Sequence, residues 1–285
     1  MSVIIQLGEL SFFPNPSANL VGAKKEGGVL LKKIKVGIWG FGKTGKLIAD
    51  EFLKDSRFVL SWVVRKNKIK YSKFASSDLG YETNIGKIIP ISDVSDNFFL
   101  KNPVDILVDF SHNYGVHSYK NAAKSGIAII SGVSNYQPEE LSLLKSLSEI
   151  TPVLYSPNIT LGVTFLMVAS HVLKKIIPNA DIEIIEEHFK GKTEVSGTAK
   201  KIAQTLELDE SQHINSIRVG GIVGRHEVIF GMPNQTIRLS HSSISRAAFG
   251  QGAIFAAKHL IGKMPGLYSM ESIIADMVRK HCPTY

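Results

Sequence analysis

The stretch Ile34-Lys35-Val36-Gly37-Ile38-Trp39-Gly40-Phe41-Gly42-Lys43-Thr44-Gly45 decides the fold. Its first six residues alternate and are β-branched enough to form a strand, and they run directly into G-x-G-x-x-G. Behind the glycines, Leu47, Ile48, Ala49 and Phe52 fall at helical spacing, which predicts a helix over 46–53. At such a junction the first glycine permits the tight turn, the second lets backbone approach a pyrophosphate, and the third lets helix and strand pack closely. The helix N-terminus then faces the anion. The plain alternative is a structural glycine turn.

The next strand, 58–64, ends in Arg65-Lys66-Asn67-Lys68, where an NAD-type fold carries an acid for the ribose 2′-hydroxyl. Arg65 stands twenty positions beyond Gly45. A guanidinium takes a 2′-phosphate by paired, charge-assisted hydrogen bonds, so the sequence favours NADPH over NADH, against the alternative of a solvated basic turn. Strands at 104–110, 128–131 and 153–155 alternate with helices at 115–125 and 138–150, the pattern of a doubly wound α/β sheet. Ligands bind such sheets beyond the C-terminal strand ends. Asp109-Phe110-Ser111, Ser131-Gly132-Val133-Ser134 and Ser156-Pro157-Asn158 are therefore expected at the crevice. His112 and His117 lie near that edge with no metal-ligand spacing and read as ordinary histidines.

From residue 159 the pattern changes. An apolar helix over 165–177 precedes the strand Asp181-Ile182-Glu183-Ile184-Ile185-Glu186-Glu187, then His188-Phe189-Lys190-Gly191-Lys192. Ser196-Gly197-Thr198 opens a helical segment in which Ala199, Ile202, Ala203 and Leu206 share a face. Two hydroxyls around a glycine serve there as a plain N-cap or as an open anion site for a carboxylate. His188 and Lys192 suit proton transfer, while a structural pair of His188 with Glu187 at the strand end is the other reading. A zinc reading fails for want of a ligand set.

The 285 residues fit one large or two modest domains, and 44% hydrophobic with 20% charged residues is an ordinary globular composition. The single cysteine, Cys282, excludes an intrachain disulfide and a cysteine metal site, and a reducing, cytoplasmic setting is expected. No apolar run approaches the roughly 18 residues of a membrane span, so no membrane partner is expected. The net charge of +8 admits nucleic acid, an anionic surface or an anionic small ligand. Residues 1–33 read as an N-terminal extension.

These residues carry a family resemblance. The stretch from Asp181 to His188, with Lys192 and Ser196-Gly197-Thr198-Ala199, resembles the catalytic H-H-x-x-K and P-S-G-T-A segments of the 4-hydroxy-tetrahydrodipicolinate (dihydrodipicolinate) reductases. Ile217-Arg218-Val219-Gly220-Gly221, Gly224-Arg225-His226-Glu227-Val228, the 241–253 segment and Gly266-Leu267-Tyr268-Ser269-Met270 extend it. The resemblance implies a Rossmann-type nucleotide-binding domain, formed by 34–158 and 246–285. It adds an α+β substrate and oligomerisation domain with a mixed sheet over 159–245.

It further implies reduction of a small dicarboxylate by NADPH, with NADH possible, in a homotetramer with no nucleic acid. His188 and Lys192 would handle the proton. Phe189, Ser196, Gly197 and Thr198 would meet substrate. The 40–45 turn, Arg65, Lys66, Phe110, Ser111, Ser131, Gly132, Val133, Ser156, Pro157, Asn158 and Ile159 would meet cofactor. Departures fall in the same places: Phe189 replaces the family's second histidine, and the segment from Lys192 to Gly197 is one residue short. Ser131-Gly132-Val133-Ser134 replaces G-T-T-G, and the glycine turn is shorter. The alternatives are a paralogue that reduces another carboxylated imine or ketone, and a non-catalytic NADPH-binding regulator.

Overall fold

In the computed structural model, which describes residues 32–66 and 72–283, the glycine turn joins a strand to a helix. The expectations for 1–31, for Lys68 and for the extreme C-terminus lie outside the described residues. β1 (Ile34–Trp39) leads through the turn to α1 (Lys43–Lys54), and β2 (Phe58–Arg65) returns parallel to β1. Next come α2 (Ala75–Asp78), β3 (Lys87–Pro90), one 3-10 turn and α3 (Phe98–Lys101), pieces too short for periodicity to announce. The alternation then proceeds through β4 (Ile106–Asp109), α4 (Gly115–Lys124), β5 (Ala128–Ser131), α5 (Pro138–Ser148) and β6 (Pro152–Tyr155), close to the sequence expectation.

α6 (Leu161–Ile176) leads to β7 (Asp181–His188), α7 (Gly197–Thr205), the short α8 (Glu210–His213), β8 (Ile214–Arg218), β9 (Gly224–Met232) and β10 (Gln235–Ser243). The chain closes with α9 (Ala248–Leu260), β11 (Gly266–Tyr268) and α10 (Met270–His281).

Seven strands form one sheet in the order β11-β6-β5-β4-β1-β2-β3, with every pairing parallel. The order reverses between β1 and β4, which makes the 40–45 turn and the turn after Asp109 neighbours at the topological switch point. A parallel sheet must be covered on both faces. Ile48, Ala49 and Phe52 of α1 pack with Ala253, Ala256 and Ala257 of α9 and Ile273 of α10 on one face. Phe98, Tyr119 and Leu144 pack with Trp39 and Trp62 on the other.

The second sheet, in the order β10-β9-β7-β8, is mixed: β7 runs parallel to β8 and antiparallel to β9. Along β7 the residues Ile182, Ile184, Glu186 and His188 are buried while their neighbours are not, so one face meets Leu166, Met167, Ile202 and Phe230. A Rossmann-type parallel sheet beside a smaller mixed sheet is the fold class that the sequence implied.

Candidate active site

At the switch point the chain is shaped by absent side chains. Gly40 has φ +102°, a left-handed value, and a Cβ there would stand 2.7 Å from Ser111 Cα. A Cβ on Gly45 would collide with the carbonyl oxygen of Gly40. One on Gly42 would meet nothing within 4 Å, so the backbone there faces open space at the start of α1. No acid stands in the first helical turn. Exposed N–H groups, a helix N-terminus and room for close approach fit a dinucleotide pyrophosphate. Phe41 is buried, with Lys46 Nζ 5.5 Å from its ring centre, while Lys43 is exposed and Thr44 half-buried. Arg65 is half-buried at the end of β2 and Lys66 exposed.

Asp109 ties two of the expected loops together. Its carboxylate accepts from Ser111 N–H (2.9 Å), Ser111 Oγ (2.6 Å), Tyr119 OH (2.8 Å) and Tyr136 OH (3.2 Å). Tyr136 OH in turn lies 2.8 Å from Ser131 Oγ, and Gly132 N–H donates to Asp109 O. Full burial pushes the Asp109 carboxyl up, against the pull of those hydrogen bonds. A Cβ on Gly132 would strike the Phe110 ring, so that glycine seats the ring between the loops. Ser131, Val133 and Ser156 are buried, Ile159 fully so, and Pro157 is exposed.

The end of β7 gathers a second group. Glu186, fully buried, accepts from Arg218 Nη2 (2.6 Å), Arg218 Nη1 (2.9 Å), Ser216 Oγ (2.6 Å) and Ser196 N–H (3.2 Å), and lies 2.5 Å from His188 Nδ1. Burial alone would raise its carboxyl, but the bonds from Arg218, Ser216, His188 and Ser196 outweigh it and hold it down to about 2. Strand register brings the partners in, because Glu186 pairs across to Ser216 on β8 and to His226 on β9. His188 therefore pairs with Glu186, two residues back on the same face, and not with Glu187. Glu187 turns to the opposite face and Arg225, 2.5 Å away.

Ser196 caps α7 through Ala199 N–H, and its hydroxyl also lies 2.9 Å from His226 Nε2, so this side chain is engaged inside the protein. Burial first, and then the charges of His188, His241 and Lys192 against Glu186, push the His226 ring down to about 4.

His188, Phe189, Lys192 and Thr198 line one cavity of about 240 Å³ together with Asn158, Gly224, His226, His241 and Arg246. Asn158 Nδ2 donates to Thr198 Oγ1 (3.0 Å), joining the loop after β6 to the start of α7. Ser196 and Gly197 do not line this cavity, and of the expected cofactor contacts only Asn158 does. Sequence reasoning missed Glu186, Arg218 and His226. The i, i+2 spacing of Glu186 and His188 on a strand was the available signal. Among the described residues no group of acids, histidines and cysteine is arranged to hold a metal ion, and no helix is long and apolar enough to cross a membrane.

Residues 34–159 match the family model described as dihydrodipicolinate reductase, N-terminus, and residues 162–274 match its C-terminus. The 4-hydroxy-tetrahydrodipicolinate reductase of Caldanaerobacter subterraneus is 32% identical over 82% of this chain and 94% of its own length. That of Sulfurimonas denitrificans is 31% identical over 85% and 99%. Among solved structures, a dipicolinate-bound dihydrodipicolinate reductase from a Paenisporosarcina species superposes with a TM-score of 0.71 at 20% identity over 85% of this chain and all of its own. An amine dehydrogenase from Mycobacterium smegmatis gives 0.59 at 11% identity over 84% and 96%. These two likenesses concern the fold alone. With both family models matched across nearly all of the described residues, this chain belongs to the dihydrodipicolinate reductase family.

Proposed function

We propose that this chain reduces 4-hydroxy-tetrahydrodipicolinate to tetrahydrodipicolinate, with NADPH as the preferred reductant and NADH as the lesser one. The observation that carries the reading is the shared cavity: His188, Lys192 and Thr198 face one space in a chain of this family. NADPH, when bound, supplies the hydride. The 40–45 turn and the N-terminus of α1 hold its pyrophosphate, Arg65 with Lys66 meets the 2′-phosphate, and the loops at Phe110, Ser111, Ser131, Gly132, Val133, Ser156, Pro157, Asn158 and Ile159 border the rest.

Loss of water from the substrate leaves a conjugated cyclic imine. Thr198, with the backbone at Gly197 and the start of α7, holds a substrate carboxylate. Lys192 delivers the proton that balances hydride addition at C4, and His188 stabilises or relays that proton. Ser196 supports this site as the cap of α7. The same proposal assigns 34–158 with 246–285 to the nucleotide domain and 159–245 to the substrate and oligomerisation domain of a cytoplasmic homotetramer.

Phe189 favours one second reading. It lines the cavity where the family carries a histidine, and the loss of a hydrogen bond to a charged group costs about 1.5–3 kcal/mol, so a paralogue acting on another carboxylated imine or ketone is the competing assignment. The test is NADPH oxidation by the purified chain supplied with the product of the synthase that makes this substrate. Turnover that disappears in His188→Ala and Lys192→Ala supports the reading. Tight NADPH binding with no turnover would sink it in favour of the paralogue or of a regulator.

A further inference from the structure

The group around Glu186 contains more than a buried ion pair needs. An unpaired carboxylate with no accessible surface would be costly, and this one is matched by four donors from Arg218, Ser216 and Ser196, with His188 Nδ1 a further 2.5 Å contact. An ionised carboxylate only accepts, so the nitrogen of His188 that faces it carries the proton. That leaves Nε2 as the acceptor of the neutral ring. It lies over Gly224, where a Cβ would stand only 3.0 Å away, so the missing side chain keeps the cavity side of the ring clear.

The guanidinium that grips Glu186 with two nitrogens also holds the neighbouring loop. Arg218 Nε donates to Lys192 O (3.0 Å), and Nη2 donates to Glu194 O (2.9 Å). One node therefore sets both the ring of His188 and the backbone that carries Lys192.

We propose that Glu186 and Arg218 are positioning residues: Glu186 fixes His188 as the Nδ1–H tautomer with Nε2 toward the cavity, and Arg218 holds the Lys192 segment in register with that ring. The turnover arm of the test rests on the reductase reading, whereas the tautomer arm does not.

Glu186→Gln is the informative variant. Oε1 receives three donors, from Arg218, Ser216 and Ser196, and Oε2 two, so the amide oxygen settles on the Oε1 side. Its NH₂ then points at His188 Nδ1 and reverses the tautomer. Ring-nitrogen NMR of ¹⁵N-histidine-labelled protein, assigned with His188→Asn and taken where the ring is neutral, should show Nδ1–H in the wild type and Nε2–H in Glu186→Gln.

In the same variant kcat should fall on the order of 100-fold, while KM for NADPH stays within about twofold. Arg218→Lys should keep the Nδ1–H tautomer and lower kcat by a smaller factor, about tenfold, because one ammonium does not span both carbonyls and the carboxylate. An Nε2–H or mixed tautomer in the wild type overturns the proposal even if the variants fail to fold. So does a Glu186→Gln enzyme with unchanged kcat. A wild-type chain with the Nδ1–H tautomer and no turnover sinks the reductase reading and leaves the assignment of Glu186 standing.

Discussion

The 40–45 turn and the end of β7 are built from opposite materials. The turn is almost all backbone: three glycines, a helix start without a side-chain cap bond, and no acid in the first helical turn. The end of β7 is almost all side chain, with Glu186, Arg218, Ser216 and His188 drawn from two strands and bonded through one buried carboxylate. A backbone site is held by shape, so it is broken by an added carbon atom. A side-chain site is held by charge and hydrogen bonds, so it is broken by a lost charge or a changed protonation state. Each side can therefore be attacked by a route that should spare the other.

The largest effect is expected at Lys192. If it donates the proton, Lys192→Ala should lower kcat by about 10²–10⁴-fold, the usual worth of a placed general acid. NADPH affinity, measured by fluorescence titration, should stay near the wild-type value because the 40–45 turn is untouched. A parallel fall in both quantities would show that the two sites are not separable.

Next comes the response to acid. The folded His226 ring is held down to about 4 by burial and by neighbouring cations, against an ordinary value near 6.5. Between those pH values the unfolded chain binds a proton that the folded chain refuses, so this contribution is complete above pH 6.5 and is lost as pH falls toward 4. Its size is on the order of 3 kcal/mol. Urea denaturation of wild type and His226→Gln across this window should give a shallower pH slope for the variant. Glu186 acts lower, since a carboxyl held near 2 loses its contribution as pH falls from about 4.5 toward 2. Equal slopes in the two proteins would remove His226 from the account.

Arg65→Asp addresses the cofactor side. Exchanging a charge-assisted donor for a like charge should raise KM for NADPH by about 10- to 150-fold, equivalent to about 1.5–3 kcal/mol, with little change for NADH. Identical changes for both would show that Arg65 does not meet the 2′-phosphate.

The same contrast explains what the sequence disclosed. The 40–45 turn was legible because strand, glycines and helix are contiguous, and Gly40 and Gly45 each have a steric reason. The alternating strands and helices of 104–155 were legible for the same local reason, whereas the short α2, β3 and α3 were not. Glu186 was not, because adjacent Glu187 looks equally close to His188 until strand alternation assigns them to opposite faces. Arg218 reaches Glu186 across 32 positions, a distance no local pattern reports. β10, with exposed Gln235, Thr236 and Arg238, carries too little apolar alternation to be delimited in advance. The hydroxyl of Ser196, expected to meet substrate, is engaged by Ala199 N–H and His226. Three of the cations behind the +8 charge have definite places, Arg65 and Lys66 at the strand end and Lys192 at the cavity, while exposed Lys190 lies outside the cavity lining.

The smallest expected effect separates two glycines three residues apart. Gly45→Ala puts a methyl group against the Gly40 carbonyl, which belongs to backbone and cannot rotate away. Overpacking of that kind costs about 1–3 kcal/mol, so the melting temperature and NADPH affinity should fall together. Gly42→Ala adds the same methyl group to open space, at φ −90° and ψ −159°, values an alanine adopts freely. Its stability should stay within about 1 kcal/mol of wild type, because weaker capping is offset by a less flexible unfolded chain. NADPH affinity should nevertheless drop at least about tenfold if the pyrophosphate occupies the space the methyl group fills, since about 1.4 kcal/mol of lost contact suffices. Calorimetry and isothermal titration on the pair decide it. A Gly42→Ala protein that keeps full affinity would mean that the open face of the turn is not where the phosphates lie.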